Sequence, residues 1–318
     1  MKIKKGLLII LVCFLLAACS TEKTKKEDAH YILFATPLNG HVIWEKAHEG
    51  FQDACEAYGI HYDWLGPNTI DTARMNEVIE TGLLMKVDGI ITQGVVDSKL
   101  IDQAYEQKIP FVLVDSDQPE SKRFLYMGKD FKQQAELILE NIQKKYGKKK
   151  HLKIAIQVAE KNFAIAQKQI DEIYQVFSSH PGGYEIVNIS ESKSDLVRAK
   201  REWIQVIDEH EDLNVAINFA GESAASCVEA VKHKGKLDSV LIYGVDDMES
   251  TIDLIKQEEL DGSIVTSFYD YGYQSVEAIY TYLETKKKPE QVISHPSLLL
   301  VTKENVDTYE KELRHEKD

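Results

Sequence analysis

Gly221-Glu222-Ser223-Ala224-Ala225 falls between a predicted strand and a predicted helix, where a sharp turn can hold a serine nucleophile. Asp246 and His295 follow it in the order serine, acid, histidine. Acyl transfer would need that trio and a donor set for the oxyanion. The turn's second glycine is Ala225 here, and no glycine-rich loop precedes it, so an esterase on Ser223 is the remote alternative. A more regular polar set lies at the ends of predicted strands: Asn39-Gly40-His41, Gln93-Gly94, Asp115-Ser116-Asp117, Glu160-Lys161-Asn162, Ala220-Gly221-Glu222 and Asp246-Asp247. A carboxylate can accept from two vicinal hydroxyls in charge-assisted bonds. An amide such as Gln93 donates and accepts at once. Aspartate after a strand is equally a preferred helix cap, so spacing alone leaves Asp115 and Asp246 open between the two roles. The set lacks arginine, the usual bidentate grip on carboxylate and phosphate. That favours a neutral polyol, sugar or nucleoside, or a cation, with Lys129 and Lys161 as the groups that could serve an anion.

The elements that must carry these residues alternate. Tyr31–Thr36 reads as a strand; 41–58 as a helix with Trp44, Ala47, Phe51, Ala54, Cys55 and Tyr58 on one stripe; 60–65 as a strand. The segment 71–85 reads as a helix capped by Thr69 or Asp71. Then come strand 88–92, helix 98–107 and strand 110–115. After the helix 131–146 the pattern restarts: strands 152–158, 184–189, 213–218 and 240–245 alternate with helices 163–177, 195–207 and 223–232. In helix 195–207 the spacing turns Leu196, Ala199, Trp203 and Ile207 inward. Apolar strands flanked by helices make a parallel sheet covered on both faces, and two such runs predict two similar α/β lobes. Ligands in such sheets sit at the carboxyl ends of the strands.

The N-terminus carries a different chemistry. Lys2, Lys4 and Lys5 precede an apolar run from Leu7 to Leu16, an export signal too short to span a bilayer comfortably. Leu16-Ala17-Ala18-Cys19 resembles the lipobox of bacterial lipoproteins, in which the cysteine is acylated and becomes the new N-terminus. The other readings are an ordinary secretory signal with an incidental cysteine, or an anchor helix. Residues 20–28 are all polar and read as a tether. The signal holds three lysines and no acid, so its removal takes the formal charge from −14 to −17. Such a surface argues against nucleic acid or anionic lipid as partners. With Cys13 and Cys19 set aside, Cys55 and Cys227 remain, either paired or, the better reading, two buried thiols. Neither a zinc-type cysteine spacing nor a disulfide framework is present.

Val87-Asp88-Gly89-Ile90-Ile91, Ile109-Pro110-Phe111-Val112-Leu113-Val114-Asp115 and Val240-Leu241-Ile242-Tyr243-Gly244-Val245-Asp246 together resemble the type I periplasmic binding proteins, in the branch that binds ribose- and galactose-type sugars. The similarity runs in order from about Tyr31 to Val306. It implies an α/β fold of two doubly wound parallel-sheet lobes joined by a three-segment hinge, closing on a small ligand. The first lobe would hold 30–128 and 267–290, the second 129–266 and 291–308, with crossings near Gly128, Thr266 and Gln291 and a polar tail over 309–318.

The resemblance also implies a site. Gly40-His41-Val42-Ile43-Trp44 matches the family's first ligand loop, with His41 at its polar place and Trp44 at an aromatic one. His41 stands equally as a first-turn residue, and Trp44 as core. Asn39 and Gln93 sit at polar positions, and Asp115 and Asp246 match the two ligand aspartates. Ser116 replaces an arginine, Gln167 an arginine, Leu196 an aromatic, Ala220 an asparagine and Thr266 a glutamine, with Tyr269 and Tyr271 nearby. With the resemblance, ligand binding leads over capping for both aspartates. The implied protein is a monomeric, lipid-anchored receptor on the outer face of the cell membrane, facing the periplasm where there are two membranes. It needs no cofactor and is no enzyme. It delivers a neutral sugar-like solute to an ABC permease or, alternatively, reports it to a sensor kinase or chemoreceptor. A DNA-binding relative would need a helix-turn-helix before the first strand, where this chain has a signal and tether.

Overall fold

The computed structural model describes residues 29–69 and 71–314, so the signal and the lipobox cysteine lie outside the described residues. The first six-stranded sheet is ordered β11-β5-β4-β3-β1-β2 and is parallel throughout. Its strands are β1 (Tyr31–Ala35), β2 (His61–Leu65), β3 (Gly89–Gln93), β4 (Phe111–Val114), β5 (Leu125–Met127) and β11 (Ile293–Ser294). The second sheet is ordered β12-β10-β9-β8-β6-β7, parallel except where β12 meets β10. It uses β6 (Leu152–Val158), β7 (Tyr184–Glu191), β8 (Val215–Asn218), β9 (Leu241–Val245), β10 (Gly262–Thr266) and β12 (Leu298–Val301). β4 and β9 therefore hold the same place in their sheets.

Each sheet is buried on both faces. Along β1, Ile32 and Phe34 enter one core cluster and Leu33 and Ala35 another. The first sheet is covered by α1 (Val42–Tyr58), α2 (Thr72–Met85), α3 (Ser98–Glu106) and α9 (Phe268–Thr285). The second carries α4 (Phe131–Tyr146), α5 (Ala164–Phe177), α6 (Leu196–Glu209), α7 (Ser223–His233), α8 (Glu249–Lys256) and α10 (Tyr309–Leu313). The helix α9 leaves the second sheet after β10 and packs against α1. Gly50 and Gly272 let the two backbones meet: a Cβ on either would stand 2.1 Å from a carbonyl oxygen, of Tyr269 or Ala47. Among the described residues no helix is long and apolar enough to cross a membrane.

Three expectations change. β11 pairs with β5, so the last passage between sheets lies at 295–297, past Gln291. Residues 309–313 are no polar tail: Tyr309 and Leu313 are buried in the second sheet's core. From there Tyr309 donates to Asp247 at 3.1 Å, and Arg314 pairs with Glu49 of α1 at 2.7 Å. Leu196, expected inward, is 58% exposed as the first residue of α6, just after the Asp195 cap. The preferred reading of the cysteines holds: Cys55 and Cys227 are both buried and free, in the cores of different sheets. Burial pushes the Cys55 thiol up to about 12.

Candidate ligand-binding site

The aspartates that cap helices are Asp71, Asp97, Asp130 and Asp195, each accepting from a backbone N–H at 2.6–3.0 Å. Asp115 and Asp246 cap nothing. Both stand just past the equivalent strands β4 and β9 in the left-handed region, at φ 62° and 64°. Each donates its backbone N–H at 2.9 Å to the neighbouring strand, Asp115 to Met127 and Asp246 to Ile264. Each offers its own carbonyl to a hydroxyl, of Tyr126 at 3.1 Å and of Ser263 at 2.7 Å. A left-handed aspartate costs on the order of 1 kcal/mol against an ordinary conformation. Two sheets hold the same strained residue in the same frame, which aims its side chain off the strand end.

The two carboxylates meet at one cation. Lys129, on the segment between β5 and α4, places Nζ 4.0 Å from Asp115 and 3.9 Å from Asp246. The lysine side chain is 19% exposed. Burial alone would lower its pKa; Asp246 and then Asp115 outweigh burial and hold the ammonium above the usual lysine value. Gln93 orients Asp115 by donating from Nε2 at 2.8 Å. The Lys129 ammonium also stands 5.9 Å from the ring centre of Phe268, whose edge-to-face partner at 5.5 Å is Trp44.

Tyr271 completes the cluster. Its side chain is fully buried and its hydroxyl has no hydrogen-bond partner. Burial first, then the charges of Asp115, Tyr126 and Asp246, push its pKa far above the usual value, so it keeps its proton and remains a donor. A buried hydroxyl without an acceptor calls for a guest or a water. The described residues hold no group of three metal-ligating side chains.

The remaining expected residues divide. Ser116 is half-buried beside Asp115; its carbonyl lies so close to Gly94 that a Cβ there would stand 2.0 Å away, which is why a glycine follows β3. Trp44 is core, 8% exposed and packed edge-on against Phe34. His41 caps α1, its Nδ1 accepting from the Ile43 N–H at 3.4 Å. Asn39 is exposed and bonds Asn68 at 3.4 Å. Gln167 is exposed on α5 and donates to the Lys161 carbonyl at 2.5 Å. Thr266 is buried at the end of β10. Tyr269 turns away, donating to Asp53 of α1 at 2.9 Å. The cluster therefore gathers Gln93, Asp115, Asp246 and Tyr271 with Lys129, which the strand-end pattern had marked only as a possible anion contact.

Other strand-end acids are engaged locally. Asp117 pairs with Arg123 at 2.7 Å, Asp247 with Lys46 at 2.5 Å, and Glu222 accepts from Ser192 at 2.6 Å. The serine-nucleophile arrangement is not assembled. Ser223 is fully buried and donates to Gln157 at 2.5 Å, while His295 Nδ1 bonds the Gly128 carbonyl at 2.7 Å.

The sequence profile of the periplasmic binding protein domain matches residues 32–288. Among solved structures, a glucose-galactose binding protein from Geobacillus stearothermophilus, GanP, superposes with a TM-score of 0.73 at 21% identity, over 88% of this chain and 100% of that one. A sugar ABC transporter sugar-binding protein from Bacillus halodurans reaches a TM-score of 0.78 at 18% identity, over 88% and 99%. A chain of the XylFII-LytSN complex gives 0.67 at 23% identity, over 87% and 98%. Among curated protein sequences, none matches the chain.

Proposed function

Because the chain belongs to the periplasmic binding protein domain family, we propose that it is a receptor for one neutral, hydroxyl-rich solute, a sugar or a close relative of one. The observation that carries this reading is the convergence of Asp115 and Asp246, from equivalent strand ends of two sheets, on Lys129 beside the unpartnered Tyr271 hydroxyl. Two carboxylates accept from ligand hydroxyls; the ammonium and the tyrosine donate to ligand oxygens. The three charged groups sum to a single negative charge and no arginine joins them, which suits a neutral guest better than a carboxylate or phosphate. Closure of the lobes around the guest is the output, and the work is binding without chemical turnover. The lobes divide at 128–130, 266–268 and 295–297.

Export, cleavage before Cys19 and acylation of that cysteine would place the receptor on the outer face of the membrane. Delivery to an ABC importer is the first reading, in line with the neighbour described as a sugar ABC transporter component. Reporting to a membrane sensor is the second; a similar chain occurs in the XylFII-LytSN complex.

A thermal-shift screen over pentoses, hexoses, polyols, nucleosides and furanose signals tests the proposal. A ligand at a hundred times its Kd stabilises the fold by about 2.7 kcal/mol, a shift of several degrees. Asp115→Asn and Asp246→Asn should each remove the shift and leave the ligand-free melting temperature within a few degrees. Silence across every neutral solute, or full shifts in both variants, would overturn it.

A further inference from the structure

The first sheet has a second concavity at the end opposite the aspartate cluster. Every strand of this sheet is parallel, so the segments entering β4, β5 and β11 share one edge, away from Gln93 and Asp115. There a cavity of about 550 Å3 opens between the 105–110, 122–124 and 288–292 segments. That volume lies within the range of small-molecule sites.

Its walls are apolar and largely aromatic: Tyr105, Pro110, Phe124, Tyr282, Pro289 and Val292. Tyr105 and Val292 are each about half exposed, at 53% and 52%, a poor use of such side chains on a bare surface. Phe124 and Tyr282 stand 5.0 Å apart between ring centres. Lys108, Lys122 and Lys288 form the rim. Lys122 is held 5.2 Å over the Tyr105 ring, and the neighbouring Lys286 lies 6.0 Å from the Tyr282 ring. Among the described residues no carboxylate comes within 4.0 Å of Lys108, Lys122, Lys286 or Lys288, although acids outnumber bases in the chain by 52 to 38. Arg123 is already committed to Asp117, and Glu106 is the single acid among the lining residues.

We infer that this cavity is a second ligand site, for an organic anion: a flat or apolar body carrying a carboxylate or phosphate. The rings and prolines take the apolar body and the lysines the charge. Neither part alone explains the arrangement. An apolar cleft needs no ring of unpaired lysines, and solvated lysines need no aromatic floor.

The inference does not depend on the sugar reading and is tested without it. Isothermal titration of the mature chain uses 1-naphthyl phosphate, with 1-naphthol and inorganic phosphate as the ring and the charge alone. The phosphate ester should bind one to one, at least tenfold tighter than either fragment. The Lys122→Glu/Lys288→Glu double variant should weaken it at least tenfold while melting as the parent does. A neutral sugar that shifts the melting temperature should leave this binding unchanged. Absence of binding at millimolar probe, equal binding of 1-naphthol, or indifference to the charge reversal would overturn the inference.

Discussion

Replacing Lys129 by methionine keeps the bulk of the side chain and removes the ammonium between Asp115 and Asp246. Since both carboxylates lie within 4.0 Å of Nζ, they are within about 8 Å of each other. At an effective dielectric of about 20, two like charges at that separation repel by roughly 2 kcal/mol. The side chains are 19% and 28% exposed, so solvent screening trims this figure. Holding the lobes together then costs on the order of 2 kcal/mol more, and ligand affinity at pH 7 should fall by on the order of thirtyfold. Stability supplies an independent sign. The folded-state pKa of Lys129 is raised, so its contribution is complete below the unfolded value of about 10.4 and is lost as pH climbs through the folded one. The gap in melting temperature between parent and variant should be constant from pH 6 to 9 and close above about pH 10.5. Titration calorimetry at pH 7 and a set of thermal melts against pH measure both. A variant that binds like the parent at pH 7, with a gap that does not narrow in alkali, would refute the claim that Lys129 couples the two aspartates.

Gly272→Ala should destabilise the fold by about 2–3 kcal/mol in urea unfolding, because its Cβ would meet the Ala47 carbonyl at 2.1 Å. A double-mutant cycle on Glu49 and Arg314 should give a coupling energy under about 1 kcal/mol, since the partners are 53% and 37% exposed. Cys55 and Cys227 should resist a thiol reagent in the native protein and react fully in denaturant, both being sealed in cores. Cys19→Ser should move the exported protein from the membrane fraction to the soluble one; persistent membrane attachment would discard the acylation reading.

The alternating layers were legible in the sequence because buried parallel strands such as Phe111–Val114 and Leu241–Val245 are continuous apolar runs between amphipathic helices. Short or hinge-side elements were not. β11 has two residues, too few for a periodicity, and its membership of the first sheet comes only from pairing with β5, more than 160 residues earlier. α10 reads as polar because only Tyr309 and Leu313, one turn apart, face inward. In the candidate site, Asp115 and Asp246 stood out as strand-end carboxylates, but their left-handed backbones and shared frame needed coordinates. Lys129 was the least legible member. Its partners are 14 residues before and 117 residues after it, and a lysine following a glycine resembles any loop lysine until two sheets close over it. Conversely, Tyr269 and Gln167 have the right chemistry in the right neighbourhood, and local bonds to Asp53 and Lys161 turn them elsewhere.

The short terminal helix has a practical corollary. Tyr309 and Leu313 root it in one body, while Arg314 grips Glu49 on the other. It thus ties the two bodies together. A reporter or affinity handle joined just past Arg314 would pull directly on that tie and bias any movement of the halves. Labels meant to follow the motion are better carried on the exposed faces of α2 or α6, which no passage between the sheets adjoins.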